Sequence, residues 1–175
     1  MLGLPSGSVF LVPWTEQWNT EYQEEAKRIT GEIQPHLLAV HHIGSTAVPG
    51  LSAKPVIDIA IELPSFEAGL RCVPGLTRIG YAYKGTNILP DRHYFNKGEP
   101  RTHQIHMYRT GSEYLRKQLL FRDYLRKHAA ARAGYQQLKE QLIQNNGSDK
   151  YAYSDAKTDF VLSMIMKAEQ EERRD

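Results

Sequence analysis

Residues 56–63 read Val-Ile-Asp-Ile-Ala-Ile-Glu-Leu, and no other stretch constrains the fold as tightly. Ile57, Ile59, Ile61 and Leu63 recur at every second position, with Asp58, Ala60 and Glu62 between them. Successive side chains of a strand point to opposite faces, so the segment predicts a strand with one wholly aliphatic face and one mixed face. Pro64 ends it.

The other elements are placed around this strand. Val9–Val12 predicts a short strand closed by Pro13. Thr15 is an expected N-cap for a helix to about Gly31, in which Trp14, Trp18, Tyr22, Ala26 and Ile29 step at helical spacing. Leu37–Ile43 predicts a strand that runs into Gly44-Ser45. The next stretch, 46–55, holds two prolines and a glycine and predicts a structured connection. Residues 65–73 suggest a short helix, and Arg78–Lys84, His93–Asn96 and Thr102–Tyr108 further strands, with a turn-rich loop around Gly85, Asn87, Pro90 and Asp91. Beyond Gly111 the spacing turns helical. One helix carries Leu115, Leu119, Phe121, Tyr124 and Leu125, a second covers about Ala129–Gln144 before Asn146-Gly147, and a third runs over about Ser154–Glu172. The expected class is α/β (α+β): a mixed sheet with flanking helices over about 9–110, and a C-terminal three-helix extension over about 112–172 packed on it. Together they form one domain over residues 1–175.

Charge narrows the choice of partners. The chain carries 22 basic and 20 acidic residues, a balance that predicts neither nucleic-acid nor membrane binding, although Arg116–Arg132 is locally basic. No apolar run approaches the ~20 residues that span a bilayer, and no signal peptide is read at the N-terminus. The single cysteine, Cys72, rules out an internal disulfide framework and is expected as a buried thiol. The expectation is a cytoplasmic protein, with the oligomeric state left open.

Chemistry concentrates first at His42-Ile43-Gly44-Ser45-Thr46. A strand running into Gly-Ser can turn sharply and expose backbone N–H groups, to which Ser45 and Thr46 add hydroxyls. Phosphate oxygens suit such a turn; a plain structural turn is the competing reading. Asp58 follows Ser45 by 13 residues, on a strand whose other face is wholly aliphatic. A carboxylate there can hold a divalent ion against a phosphate, or simply cap or face solvent. Lys54 can meet phosphate charge or be solvated. His103 and His106, three apart on one strand, nominally face opposite ways. His106 shares its side with Gln104 and Tyr108 and is expected in the cleft. His103 sides with Ile105, and His42 is expected to reach the same cleft as His106. A buried, hydrogen-bonded structural role is the alternative for each. Tyr151 and Tyr153 can stack on a base or pack in the core.

The run His42-Ile-Gly-Ser-Thr-Ala-Val-Pro-Gly-Leu-Ser-Ala-Lys-Pro-Val-Ile-Asp58 closely resembles the signature of the GrpB family, within the nucleotidyltransferase superfamily. The resemblance extends over nearly the whole chain. Trp14-Thr-Glu-Gln-Trp18 is similar to the family's N-terminal motif, and Arg101-Thr-His-Gln-Ile-His106 to its Arg-Thr-His-x-Leu-His strand. Phe121-Arg-Asp-Tyr-Leu-Arg126, Tyr135-x-x-x-Lys139, and Tyr153-x-x-x-Lys157 with Phe160 resemble its helical motifs. The resemblance implies a nucleotidyltransferase-like mixed sheet. In the superfamily pattern, a Gly-Ser turn precedes a strand with two carboxylates at alternate positions, usually with a third carboxylate on a later strand. Asp58 matches the first; Ala60 stands where the second is expected, and Glu62 lies about 13 Å from Asp58 along the strand, too far to replace it.

What the resemblance implies about function follows from these residues. Gly44 and Ser45 would bind a triphosphate. Asp58, with His106, would hold a divalent metal, Mg²⁺ or Mn²⁺, and carry the chemistry. Arg101, Arg122 and Lys157 would clamp phosphates, with Asp123 orienting Arg122 or serving packing alone. The expected ligand is a nucleotide or other phosphorylated small molecule, and the expected reaction, if there is one, is nucleotidyl transfer to an acceptor. Two alternatives stand beside it: a non-catalytic phosphate-ligand module, linked to coenzyme A metabolism because similar chains occur fused to dephospho-CoA kinase, and a metal-assisted phosphoester hydrolase using Asp58 and His106.

Overall fold

The structure, a computed structural model, describes residues 1–86, 91–146 and 157–174. Among these, one sheet has the strand order β1-β2-β5-β4-β3. Its strands are β1 Ala39–Ile43, β2 Ile57–Leu63, β3 Tyr81–Tyr83, β4 Arg92–Lys97 and β5 His103–Arg109. β2 and β5 run parallel and the other neighbours antiparallel. The helices are α1 Gln17–Ile33, α2 Ala68–Arg78, α3 Glu113–Lys127, α4 Ala129–Asn146 and α5 Thr158–Glu172. The class is the mixed α/β one read from the alternation of β2.

β2 lies between β1 and β5, and its two faces meet different environments. Ile57, Ile59, Ile61 and Leu63 are fully buried with Phe95, Ile105 and Met107. α1 and α2 add Trp18, Ile29, Ile33, Cys72 and Leu76 to that layer. Full burial of each such side chain stabilises by ~1.5–3 kcal/mol. Slipping β2 by one residue would drive Asp58 and Glu62 into this core, so its register is strongly specified.

On the opposite face, Asp58 pairs with Gln104 of β5 and Ala60 with His106, so these four share one side. α3 covers part of it: Leu115 and Leu119 pack on Ile43, Ala60 and Tyr108. A third cluster joins Val48 and Leu51 to Leu125, Tyr135 and Phe160 of the helices. The C-terminal helices thereby clasp the loop that follows Gly44.

Several local expectations shift. Val9–Val12 forms no strand; Val12 makes only an isolated bridge to Ala53. α1 starts at Gln17, where the Thr15 hydroxyl still accepts the Gln17 N–H at 3.4 Å. α2 runs through Pro74 to Arg78 instead of stopping at 73, so β3 starts at Tyr81 rather than Arg78. The carbonyl that Pro74 leaves without a helical partner belongs to the exposed Leu70, where water can satisfy it, and the extra turn buries Gly75 and Leu76. Cys72 is buried, and burial pushes its thiol up to about 11. Asn87, Pro90, Gly147, Tyr151, Tyr153 and Ser154 lie outside the described residues. No helix among the described residues is long and apolar enough to cross a membrane.

Candidate phosphate-binding cleft

Gly44 ends β1 at φ +72° and ψ −173°, a conformation essentially reserved for glycine. A short 3₁₀ turn, Ser45–Ala47, follows. The reason for glycine is also steric: a Cβ on Gly44 would lie 2.5 Å from Asp58 Oδ2. The turn and the carboxylate are thus pressed together across the β1–β2 pair, where Ile43 stands opposite Asp58.

A cleft of about 260 Å³ opens at this junction. Gly44, Ser45, Thr46, Lys54, Asp58, Arg101, Gln104, Tyr135, Lys139 and Lys157 contribute to its walls. Four cationic side chains therefore meet one carboxylate. Lys139 is 1% exposed. Its ammonium donates to Ser45 Oγ at 3.3 Å and to the Ser52 carbonyl, and sits 4.9 Å from the Tyr135 ring centre. Burial, then the nearby Lys157 charge, lowers its pKa to about 7. Burial and the Lys54 charge lower Lys157 to about 8, against the opposing pull of Asp58. The Arg101 Nε–H is buried without a hydrogen-bond partner. The cavity therefore gathers four basic side chains and one unsatisfied donor around a single carboxylate.

A second lobe of about 230 Å³ shares Gly44, Ser45 and Asp58 with the first. Its walls are mostly apolar, with Ile43, Val48, Phe121 and Leu125, and its polar groups include His106, Gln118 and Arg122. Each lobe by itself is somewhat smaller than the ~300 Å³ at which small-molecule sites begin.

The hydrogen bonds around Asp58 are ordered. Tyr94 Oη donates to Gln104 Oε1 at 2.6 Å, and Gln104 Nε2 donates to Asp58 Oδ1. His106 Nε2 stands 3.7 Å from the same oxygen. Arg92 Nη1 lies 3.1 Å from His106 Nδ1. Arginine can only donate, so Nδ1 is the acceptor and the ring proton sits on Nε2, facing Asp58.

The expected residues divide accordingly. Gly44, Ser45, Lys54, Asp58, Arg101 and Lys157 line the cationic lobe, and His106 and Arg122 the apolar lobe. The Thr46 hydroxyl turns inward to His42 Nε2 at 3.0 Å. His42 does not reach the cleft. It pairs with Ile59, so it shares the aliphatic face, stacked on Tyr22 with ring centres 4.6 Å apart. Burial lowers it to about 4, so it is neutral. His103 lies on that same face, 3.5 Å from Glu21 and likewise held by burial at about 4. Arg122 is paired with Asp123 through Nε and Nη2 and donates Nη1 to the His42 carbonyl at 3.0 Å. It ties α3 to β1, as Arg126 ties α3 to the Ala47 carbonyl.

Lys139, Gln104, Tyr94 and Arg92 were not among the site residues read from the sequence. Two of them left a signal: Gln104 shares the strand side of His106, and Lys139 falls four residues after Tyr135 on the apolar stripe of α4, an unusual place for an ammonium unless it has a buried task.

The donor set does not fit a two-ion cage. Among the described residues no three His, Cys, Asp or Glu side chains are grouped to hold a metal. Asp58 Oδ1 already accepts from Gln104, and the His106 lone pair faces Arg92. The position of the second superfamily acid is Ala60, 0% exposed beneath Leu115.

Comparison with known proteins agrees with this architecture. The family model for GrpB protein matches residues 8–167. The UPF0157 protein YqkA of Bacillus subtilis is 37% identical over 158 residues, which cover 90% of this chain and 46% of YqkA. The chain thus spans less than half of that relative. A dephospho-CoA kinase of Mycolicibacterium paratuberculosis is 30% identical over 171 residues, covering 83% of this chain and 42% of the kinase. The crystal structure of the conserved protein GrpB from Enterococcus faecalis superposes with a TM-score of 0.86 at 32% identity, over 93% of this chain and 98% of that one. Cid1 in complex with its short product ApU superposes with a TM-score of 0.54 at 12% identity, over 75% and 44%, a likeness of fold alone. With a nucleotidyltransferase-like fold and a family match over most of its length, the chain belongs to the GrpB family.

Proposed function

We propose that the cleft binds the phosphate groups of a nucleotide or another phosphorylated small molecule. One observation carries the reading: Lys54, Arg101, Lys139 and Lys157 converge on a cavity floored by the Gly44-Ser45 turn, with Asp58 as the carboxylate among them. Burying Lys139 costs stability unless its charge is used, and a phosphate held by several ammonium and guanidinium groups uses it. Ser45 then offers a hydroxyl and backbone N–H groups to phosphate oxygens. With phosphorylated metabolites as ligands and a single cysteine, the cytoplasm is the compartment we assign.

The test is isothermal titration of the intact chain with inorganic tripolyphosphate and with the common ribonucleoside triphosphates. Micromolar binding that weakens at least tenfold in Lys139→Met is expected. No heat and no thermal shift with any of these ligands would sink the reading.

A second reading is a binding module that carries the ligand without turnover. The buried Ala60 favours it, because nucleotidyl transfer by the superfamily route uses a second acid at that position. The similarity to part of a dephospho-CoA kinase suggests a coenzyme-A-type ligand for such a module. Pyrophosphate release from bound nucleoside triphosphate over an acceptor panel would decide for transfer and against it. Phosphodiester hydrolysis lost in both Asp58→Ala and His106→Ala would instead support a hydrolase.

A further inference from the structure

The lysines of the cleft share its walls with a single carboxylate, Asp58, and we propose that this site takes its polyphosphate ligand without a divalent cation. The inference rests on the phosphate-binding reading and names the counter-charge that the site itself supplies. Polyphosphate in a low-dielectric cleft needs several positive charges close by. A superfamily site obtains them from ions caged by carboxylates. Here Lys54, Lys139, Lys157 and Arg101 supply up to four fixed cationic groups, one of them on a side chain 1% exposed.

The acid side of the site is arranged to match. Two carboxylates in alternation would repel the ligand unless ions were present, and Ala60 removes one of them. Asp58 remains, but its Oδ1 accepts the Gln104 amide and faces the Nε2–H of His106, while Oδ2 lies against Gly44. Arg92 holds His106 in the tautomer that presents a proton rather than a lone pair to Asp58. The Tyr94–Gln104–Asp58 hydrogen-bond chain, the His106 Nε2–H turned towards Asp58 at 3.7 Å and the nearby Lys157 charge thus provide a carboxylate with partners that elsewhere would be a metal. Asp58 orients this face of the sheet and repels the ligand slightly; it does not recruit a cation.

The opposite sign of the Asp58 effect makes the idea testable. Titration of the intact chain with inorganic tripolyphosphate is carried out in EDTA and again with Mg²⁺ or Mn²⁺. The expected result is an affinity within about threefold across these conditions. In EDTA, Asp58→Asn keeps or improves the affinity, while Lys139→Met and Lys157→Met each lower it at least tenfold. Lys139→Arg, which keeps the charge, controls for loss of packing. A tenfold or greater gain on adding either metal, abolished by Asp58→Asn, would overturn the inference while leaving phosphate binding intact. Failure to bind tripolyphosphate under any condition would overturn both.

Discussion

Asp58 and Gly44 are in contact across two strands, with no room between them for even a methyl group: a Cβ on Gly44 would stand 2.5 Å from Asp58 Oδ2 and 3.1 Å from Asp58 Cβ. The Gly44-Ser45 turn and the β2 carboxylate are therefore one mechanical unit. Gly44→Ala must both adopt a strained backbone conformation and displace the carboxylate. We expect a loss of about 2–4 kcal/mol in chemical denaturation, the strain alone accounting for ~1–3 kcal/mol. Tripolyphosphate binding should be lost even where the variant remains folded. A variant within about 0.5 kcal/mol of wild type would show that the contact is softer than described.

Lys139 binds its proton less tightly in the folded chain than in water, with a pKa near about 7 against an ordinary 10.5. Between those values the unfolded chain holds more protons, so the contribution of this residue to stability rises with pH across that window. A phosphate ligand reverses the preference by stabilising the charged form. Binding should therefore take up a proton above neutrality, and affinity for tripolyphosphate should fall from about pH 7 to about pH 9. Titrations in buffers of different ionisation enthalpy measure the uptake, expected on the order of one proton at pH ~8. The same uptake in Lys139→Met would assign it elsewhere.

His42 and His103 sit neutral on the buried face, both held near about 4 by burial from an ordinary 6.5. In this interval the unfolded chain binds more protons than the folded one, so stability is lost as pH falls from about 6.5 towards 4. Each histidine contributes at most about 1.4 kcal/mol per pH unit. His42→Phe preserves the ring beside Tyr22 and removes the titration, so its denaturation midpoint should fall less steeply with acid. An unchanged acid slope would argue that His42 is already neutralised in some other way.

Restoring the missing acid is expected to fail. Ala60 is 0% exposed, packed with Ile43, Tyr108 and Leu115. Ala60→Asp places a carboxylate in that apolar cluster beside Asp58, at a cost of about 3 kcal/mol or more. Denaturation curves should show the loss, and Mn²⁺ titration should show no site gained. A stable, Mn²⁺-binding Ala60→Asp protein would mean that α3 yields easily and that the metal architecture is only one residue away.

The sequence by itself determined what depends on neighbours along the chain. The two-residue period of 56–63 placed Asp58 opposite an aliphatic face, and it also kept Glu62 from standing in for Ala60. Gly44-Ser45 marked a sharp turn at the end of a strand, and three-residue spacing put His103 and His106 on opposite sides of β5. Each is a statement about local geometry, and the tertiary fold preserves it. What the fold alone decided is which distant groups meet there. His42 was expected in the cleft; strand period sets relative sides, but only the pairing of His42 with Ile59 shows that its side is the core. Arg122 was expected beside the phosphates with Asp123 as its ion-pair partner; it lines the apolar lobe and pairs with Asp123, and only the fold shows that it also reaches the His42 carbonyl. Lys139 lies 94 residues from Ser45, and nothing in the period of α4 names the hydroxyl it will reach. Side-chain period is a property of one element, whereas the charge balance around Asp58 is set by strands, helices and loops packing on one another, and that packing turns a Gly-Ser turn with a single acid into a cationic cleft.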